Sequence, residues 1–165
     1  MSDAVAVKPH DVAAGEIDGW RGRCLDLFAK AERAVAVTLE AVAARDPLLS
    51  IKHLAGHRMV DLNKLAASED GATEKQSKAL LAALDAWPGL EGKRTFLAHG
   101  ITTVLLDRHG SWQARFDVTN YRPNKRERLN WTCSKDEALE FEALLEQAFK
   151  ALSAQLGQFR KRLPA

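Results

Sequence analysis

The sequence predicts a mainly α-helical fold: an up-and-down helical bundle with a small antiparallel β-hairpin or meander inserted before the last helix. Apolar residues recur every three or four positions before residue 100 and after residue 134, a spacing typical of amphipathic helices. The stretch between alternates apolar and polar residues, which is typical of strands. Short connections between the long helical segments favour antiparallel neighbours.

Composition indicates one domain. The chain has 165 residues, of which 46% are hydrophobic, enough for a single core. We expect a flexible N-terminal tail over 1–14, which has no apolar repeat, and a folded domain over 15–165. The formal net charge of +2 is too small to indicate nucleic-acid binding by itself. No signal peptide and no stretch of roughly 20 apolar residues is visible, so we expect a cytoplasmic protein with no membrane partner.

Four helical segments are predicted before the β-insert, each from an apolar stripe and its flanking start and stop signals. A serine or threonine marks a helix start, and proline marks an end. In chain order the predicted bounds are Glu16 to about Arg45, about 51–67 with Ser50 as N-cap, Thr73 to the Pro88-Gly89 break, and Leu90 to His99.

The β-insert is predicted at about 101–132. High β-branched content and period-two alternation favour strands here. The predicted pieces are a strand over about 101–107, a strand over 112–119, a loop from Asn120 to Lys125, and a short third strand over about 127–132. Ser134 followed three residues later by Glu137 forms a capping box, which predicts the start of the last helix.

One short segment carries a pattern with chemical meaning. Gly100 follows the fourth helix, as glycine commonly does. His99 lies in the last turn of that helix. Arg94 lies five residues earlier, about 7.5 Å away along the axis. Histidine can move a proton and arginine can hold a phosphate, so the pair is a minimal set for cleaving RNA by 2′-hydroxyl attack, without a metal or other cofactor.

The Arg94-x4-His99 spacing followed at once by Gly100 resembles the motif of the HEPN superfamily (higher eukaryote and prokaryote nucleotide-binding domains). The resemblance covers roughly residues 16–160, because the order of helices, β-insert and closing helix also matches, but only 94–100 is specific. It implies a homodimer with both motifs facing one cleft. It also implies a metal-independent endoribonuclease of toxin–antitoxin or antiphage-defence type, or a non-catalytic member that binds RNA or protein.

The resemblance gives roles to three residues. Arg94 would bind phosphate and stabilise developing charge, and His99 would be the general acid or base. Thr95 occupies a position where the family usually has a polar residue, most often asparagine, and its hydroxyl would play the supporting part. Some toxins of the family carry a tyrosine two residues after the histidine, which a nucleotidyltransferase antitoxin modifies. Ile101 stands there in this chain, which argues against an antitoxin of that kind. The identity of any other antitoxin or protein partner stays open.

A basic cluster lies at the predicted loop of the β-insert. It consists of Arg122, Lys125, Arg126 and Arg128, with Tyr121 and Trp131 nearby. Basic side chains beside aromatic rings can hold an RNA backbone and stack a base. The alternative is a solvated loop on a sheet edge, where charge discourages the addition of another strand.

No metal site is predicted. His53 and His57 are four residues apart on a predicted helix and would share a face, but no third ligand is evident, which favours structural or surface roles. Cys24 and Cys133 are far apart and lack the Cys-x-x-Cys spacing, which favours free thiols over a zinc site or disulfide.

Three hypotheses remain open from the sequence. The first is an RNA-cleaving dimer with Arg94 and His99 in the catalytic site. The second is a non-catalytic module with the same bundle and dimer. The third is an unrelated helical domain that binds a protein partner through the β-insert, favoured if the chain is monomeric and Arg94 and His99 point apart.

Overall fold

The computed structural model describes residues 8–68 and 72–163. Over these ranges the chain forms five helices and one three-stranded antiparallel sheet that precedes the last helix, so the predicted mainly α fold with a β-insert is confirmed. The helices are α1 Pro9–Ala43, α2 Ala55–Ala67, α3 Glu74–Asp85, α4 Trp87–His99 and α5 Lys135–Arg162, and the strands are β1 Ile101–Leu106, β2 Trp112–Arg122 and β3 Lys125–Ser134. None of the helices in the described ranges is long and apolar enough to cross a membrane.

The first helix begins earlier than predicted. Proline suits the first turn of a helix, and Pro9 starts α1, with Asp11 in the first turn where the dipole favours a negative charge. Ala13 is buried four residues before Ile17 and extends the apolar stripe towards the N-terminus. Residues 9–14 of the predicted tail are therefore helical, and residues 1–7 of it lie outside the described residues.

The second helix begins later than predicted. It starts at Ala55, and the assignment of Ser50 as its N-cap is wrong. Arg58 Nη1 donates to the backbone carbonyls of Lys52 (3.1 Å) and His53 (2.6 Å). These bonds hold the preceding segment outside the helix, because its carbonyls accept from a side chain rather than from helical N–H groups.

Because α2 begins later than predicted, the two histidines do not lie on the same helix. His53 lies in the loop before α2 and His57 lies in the first turn, so the expectation that they share a helix face is wrong. Within residues 8–68 and 72–163, no three His, Cys, Asp or Glu side chains are grouped closely enough to hold a metal ion.

The start of α3 is a capping box. The Thr73 hydroxyl accepts from the Gln76 N–H (3.2 Å), and the Gln76 side chain accepts from the Thr73 N–H (2.9 Å). The break between α3 and α4 falls between Asp85 and Trp87, slightly before the predicted position. Pro88 therefore lies in the first turn of α4, where its missing N–H costs no helical hydrogen bond.

The β2–β3 connection is tighter than predicted. Arg122 and Lys125 are partners in the ladder, so only Pro123 and Asn124 form the turn. Asn124 has φ 63°, a left-handed conformation that asparagine tolerates better than most residues. The predicted loop over 120–125 is therefore wrong, and the third strand is longer than predicted at both ends.

The described residues of 8–26 and 92–144 form one compact unit with its core around Trp20. The Trp20 indole N–H donates to the Ala138 carbonyl oxygen (2.8 Å). Four aromatic rings surround the indole at centroid distances of 5.9–6.5 Å: Trp112, Phe116, Trp131 and Phe141. The Ser134–Glu137 capping box that was predicted to open α5 is present in this unit.

The described residues of 27–91 and 145–163 form the second unit. Phe28 packs edge-on against Trp87 at 5.6 Å. Arg160 donates to the hydroxyl of Thr38 (2.7 Å), a buried polar side chain that would otherwise lack a long-range partner. The apolar core of this unit is formed by Val35, Leu39, Leu62, Leu80, Leu84, Leu152, Leu156 and Phe159.

Both thiols are expected to be unreactive in the folded protein. Burial raises the pKa of Cys24 to about 12 and the pKa of Cys133 to about 11. Because the thiolate is the reactive species, a chromogenic disulfide reagent at about pH 8 should label neither thiol before denaturation. It should label both after denaturation. Rapid labelling of the native chain would show that a thiol is accessible.

Candidate functional site

His99 is exposed in the last turn of α4, directly before the sheet. Leu97 is the buried residue of this turn. Thr95 and His99 are four residues apart and both exposed, about 160° around the helix axis from Leu97. The exposed face of the end of α4 therefore presents a hydroxyl and an imidazole together.

Arg94 lies on a different side of α4. It is half-buried, and five residues of helix separate it from His99. This spacing corresponds to about 140° of rotation and about 7.5 Å of rise. The structure therefore does not bring the predicted catalytic pair onto one face of the helix within one chain. The residue that shares the face of His99 is Thr95, predicted as the supporting residue.

Gly100 fixes the junction between α4 and β1. Its N–H donates to the Phe96 carbonyl oxygen (2.9 Å), and the residue is buried. A Cβ at this position would clash with that oxygen and lie 3.0 Å from the Phe116 Cβ. Gly100 is not among the residues with positive φ, so a left-handed helix end is not the reason for glycine. The reason is the close approach of the helix end to the sheet.

Replacing Gly100 with alanine is expected to lower the free energy of unfolding by about 1–3 kcal/mol, because the added methyl group overpacks this junction. Urea unfolding followed by circular dichroism measures the loss. Gly92→Ala is the matched control on the same helix, since nothing lies within 4 Å of a Cβ there, and it should be neutral or stabilising. Equal stability of the two variants would contradict the packing argument.

Arg21 of α1 holds the end of α4 to the start of β1. Its Nε and Nη2 donate to the Leu97 carbonyl oxygen (3.1 and 2.6 Å), and its Nη1 donates to the Thr102 hydroxyl (2.7 Å). The guanidinium also lies 5.5 Å from the centroid of the Phe116 ring. A positive charge suits the carbonyl end of a helix. Arg21 therefore fixes the backbone that carries His99.

Arg21 is absent from the predicted site, although the sequence contains a signal for it. It lies four residues after Ile17 and three before Cys24, both fully buried on α1. A charged residue on the apolar stripe of a helix requires a polar partner in the core. The sequence alone does not show which segment supplies that partner.

The sheet has one buried and one exposed face. On β2, Trp112, Ala114, Phe116 and Val118 are buried, and the residues between them face the other way. Directly paired residues of antiparallel strands share a face, so the register identifies the rest. This outer face carries Ile101, Thr103 and Leu105 from β1, Gln113, Arg115, Asp117, Thr119 and Tyr121 from β2, and Arg126, Arg128, Asn130 and Thr132 from β3.

A groove of about 340 Å³ crosses the β2–β3 part of the outer face. We call it the arginine groove. It is lined by Arg115, Asp117, Val118, Thr119, Arg126, Arg128, Leu129 and Asn130. Arg115 donates to Asp117 through Nε (3.1 Å) and Nη2 (2.9 Å). Three arginines against one carboxylate give the groove a positive charge.

The predicted RNA-binding cluster is divided between the two sides of the hairpin. Arg126 and Arg128 line the arginine groove, whereas Arg122 and Lys125 alternate to the opposite side at the tip. Trp131 is half-buried in the core, where its ring lies 5.5 Å from that of Phe116. Only part of the predicted cluster can therefore act on one ligand, and Trp131 is not a stacking platform.

Arg115 belongs to the groove but not to the predicted cluster. It alternates with buried residues of β2, which the sequence pattern already indicates. Its neighbours across the ladder follow from the two-residue turn, which pairs Arg115 with Thr132 and Asp117 with Asn130. The loop predicted from the sequence is longer than the actual turn, so this strand register could not be predicted from the sequence.

The end of α4 leads into the strand that pairs with one wall of the groove. Ile101 pairs with Asp117, which lines the groove, and His99 is two residues before Ile101. The Cα atoms of His99 and Asp117 therefore lie within roughly 13 Å of each other. An imidazole and several guanidinium groups occupy neighbouring parts of one compact unit.

No protein-family model matches the chain, and comparisons with curated proteins and with solved structures find no significant similarity.

Proposed function

We propose that the chain is a metal-independent endoribonuclease of toxin or antiphage-defence type, with His99 as its acid–base residue. One observation carries the proposal: an exposed histidine stands on a backbone fixed by Gly100 and Arg21, in the compact unit that also carries a positively charged groove. A fixed imidazole can exchange a proton with a bound substrate, and guanidinium groups can hold its phosphates. The resemblance of Arg94-x4-His99 to the HEPN motif supports the same chemistry.

The proposed reaction needs no metal or other cofactor. A neutral imidazole takes the proton of a ribose 2′-hydroxyl, and that oxygen forms a bond to the adjacent phosphorus. The bond from phosphorus to the 5′-oxygen breaks, and the departing oxygen takes a proton from an imidazolium. The products are a 2′,3′-cyclic phosphate and a 5′-hydroxyl end. Guanidinium groups stabilise the negative charge that accumulates on the phosphate oxygens.

The positions of Arg94 and His99 favour a homodimer for this reaction. Since the two residues lie about 140° apart around α4, one helix does not direct both at one phosphate from a single face. A second copy can supply the missing group, and it also provides a second His99, so that base and acid are different imidazoles. Thr95 lies on the face of His99, where its hydroxyl can donate to a phosphate oxygen. An antitoxin or other protein partner is proposed only because the motif resembles that of the HEPN superfamily.

The second candidate function is a non-catalytic RNA-binding module. The observation that favours it is the same angular separation, because a half-buried Arg94 can serve packing rather than catalysis. This separation also meets one of the two conditions for the third hypothesis, binding of a protein through the β-insert. The arginine groove favours RNA over protein, because three arginines suit a polyanion.

The test is cleavage of single-stranded RNA in excess EDTA by the wild type, His99→Ala and Arg94→Ala, each shown to be folded by circular dichroism. We expect the wild type to leave 2′,3′-cyclic phosphate ends and both variants to lose activity. DNA of the same sequence lacks the attacking hydroxyl and should stay intact. RNA that is bound but not cleaved by the wild type would select the second candidate. RNA that is neither bound nor cleaved would overturn both.

A further inference from the structure

We infer that the arginine groove and Tyr121 together form a binding site for a short single-stranded RNA segment, with a phosphate at the arginines, a base on the tyrosine, and Asp117 as an internal competitor for the phosphate. The inference rests on the proposed function for the choice of RNA over DNA. It deepens that function, because it names where the substrate backbone lies and what occupies that place in the free protein.

The phosphate position is argued from Arg115. Its Nη2 donates to Asp117 Oδ1 (2.9 Å) and its Nε donates to Asp117 Oδ2 (3.1 Å), the forked arrangement that also fits two phosphate oxygens. Arg128 lines the same groove from the neighbouring strand. A phosphate that enters the groove therefore meets donors already aligned for an oxyanion, and it displaces Asp117 from Arg115.

The base position is argued from Tyr121. This single tyrosine of the chain is 77% exposed on the outer face, so its ring is not part of the core. Arg126, its partner in the ladder, places a guanidinium 5.8 Å from the ring centroid. An exposed aromatic ring next to a cation is a platform on which any base can stack.

The size of this surface favours a single strand. Arg115 and Tyr121 are six residues apart on β2, which corresponds to roughly 20 Å. This length matches the shortest single-strand sites, which hold about four nucleotides. A base can stack on Tyr121 only if it is unpaired, so a duplex is not the expected ligand.

The substitution that tests Asp117 is Asp117→Asn in a His99→Ala background, which prevents cleavage. Fluorescence anisotropy with a labelled oligouridylate of about eight nucleotides measures the affinity. Removal of the competing charge should tighten binding by about 3–10-fold. In contrast, Arg128→Ala should weaken it by about 3–10-fold and make the salt dependence shallower by about 0.7 in the logarithmic slope. Tyr121→Ala should weaken binding with the slope unchanged.

Arg122→Ala is the matched control for Arg128→Ala. It removes the same charge from the same hairpin, but from the side opposite the groove. Equal losses for these two variants would overturn the groove as the site, as would an Asp117→Asn affinity no tighter than the parent. Equal affinity for DNA of matching sequence would overturn the choice of RNA, and equal affinity for polyglutamate would indicate an acidic protein partner instead.

The outcomes also separate this inference from the proposed ribonuclease. If the groove variants change RNA binding but the wild type does not cleave RNA, the RNA-binding site is supported and the proposed ribonuclease is contradicted. If the wild type cleaves RNA and no groove variant changes that cleavage, the ribonuclease is supported and the groove is not its substrate site.

Discussion

Replacing His99 with alanine is expected to lower the rate of the proposed RNA cleavage by about 10²–10⁴-fold, the usual contribution of a general acid or base. His99 is exposed and lies in the last turn of α4, so its loss should change the free energy of unfolding by no more than about 0.5 kcal/mol. The affinity for RNA should change much less than the rate. Initial rates at saturating RNA separate the two effects, since loss of a group that acts only in the transition state lowers kcat.

His109→Ala is the matched control for His99→Ala. His109 is exposed in the turn between β1 and β2, where its N–H donates to Asp107 (2.8 Å). The substitution keeps that backbone N–H and removes an imidazole from the same compact unit. Cleavage should be unchanged. Equal losses for both histidine variants, or full activity of His99→Ala, would contradict the assignment of His99.

The largest expected effect on stability comes from Trp20→Ala. The substitution removes the indole packed among four aromatic rings and its hydrogen bond to the Ala138 carbonyl. Truncation of a buried tryptophan costs about 3–5 kcal/mol, a large share of the about 5–15 kcal/mol that holds a typical domain folded. Urea unfolding followed by far-ultraviolet circular dichroism gives the difference.

Two further substitutions show whether the loss belongs to the packing of Trp20. Trp20→Phe keeps a ring but removes the hydrogen bond to Ala138, so its cost should lie well below that of Trp20→Ala. Leu139→Ala changes an exposed side chain next to Ala138 and should stay within about 0.5 kcal/mol of the wild type. A cost for Trp20→Ala no larger than that of Leu139→Ala would contradict the central place of the indole.

The order of helices and strands could be predicted from the sequence because it depends on local patterns. The apolar stripes predict α1 and α5, and the capping residues Thr73 and Ser134 predict the starts of α3 and α5. The start of α2 could not be predicted in this way. There the side chain of Arg58 donates hydrogen bonds to carbonyls of the preceding segment, a contact that no local pattern reveals.

The candidate site was predictable only in part for a related reason. The position of His99 at an exposed helix end follows from Gly100 and the helical repeat. Arg21 and Arg115 do not follow, because their roles depend on contacts between segments that are distant in the chain or on the exact register of a hairpin. The separation of Arg94 and His99 by about 140° around α4 follows from their spacing, but which of the two is exposed depends on which side of α4 is buried, and only the fold shows that.

The bonds made by Trp20 and Arg21 have a consequence for synthesis of the chain. Arg21 bonds to a carbonyl 76 positions later, and Trp20 to one 118 positions later. At a translation rate of about 5–20 residues per second, α1 leaves the ribosome several seconds before the segments that complete its contacts. A nascent chain therefore lacks the Arg21 bonds that support His99 until β1 has emerged, and lacks the bond of Trp20 until the start of α5 has emerged. We expect unfinished chains to lack the proposed activity, so the ribosome that makes this protein would not be exposed to that activity during synthesis.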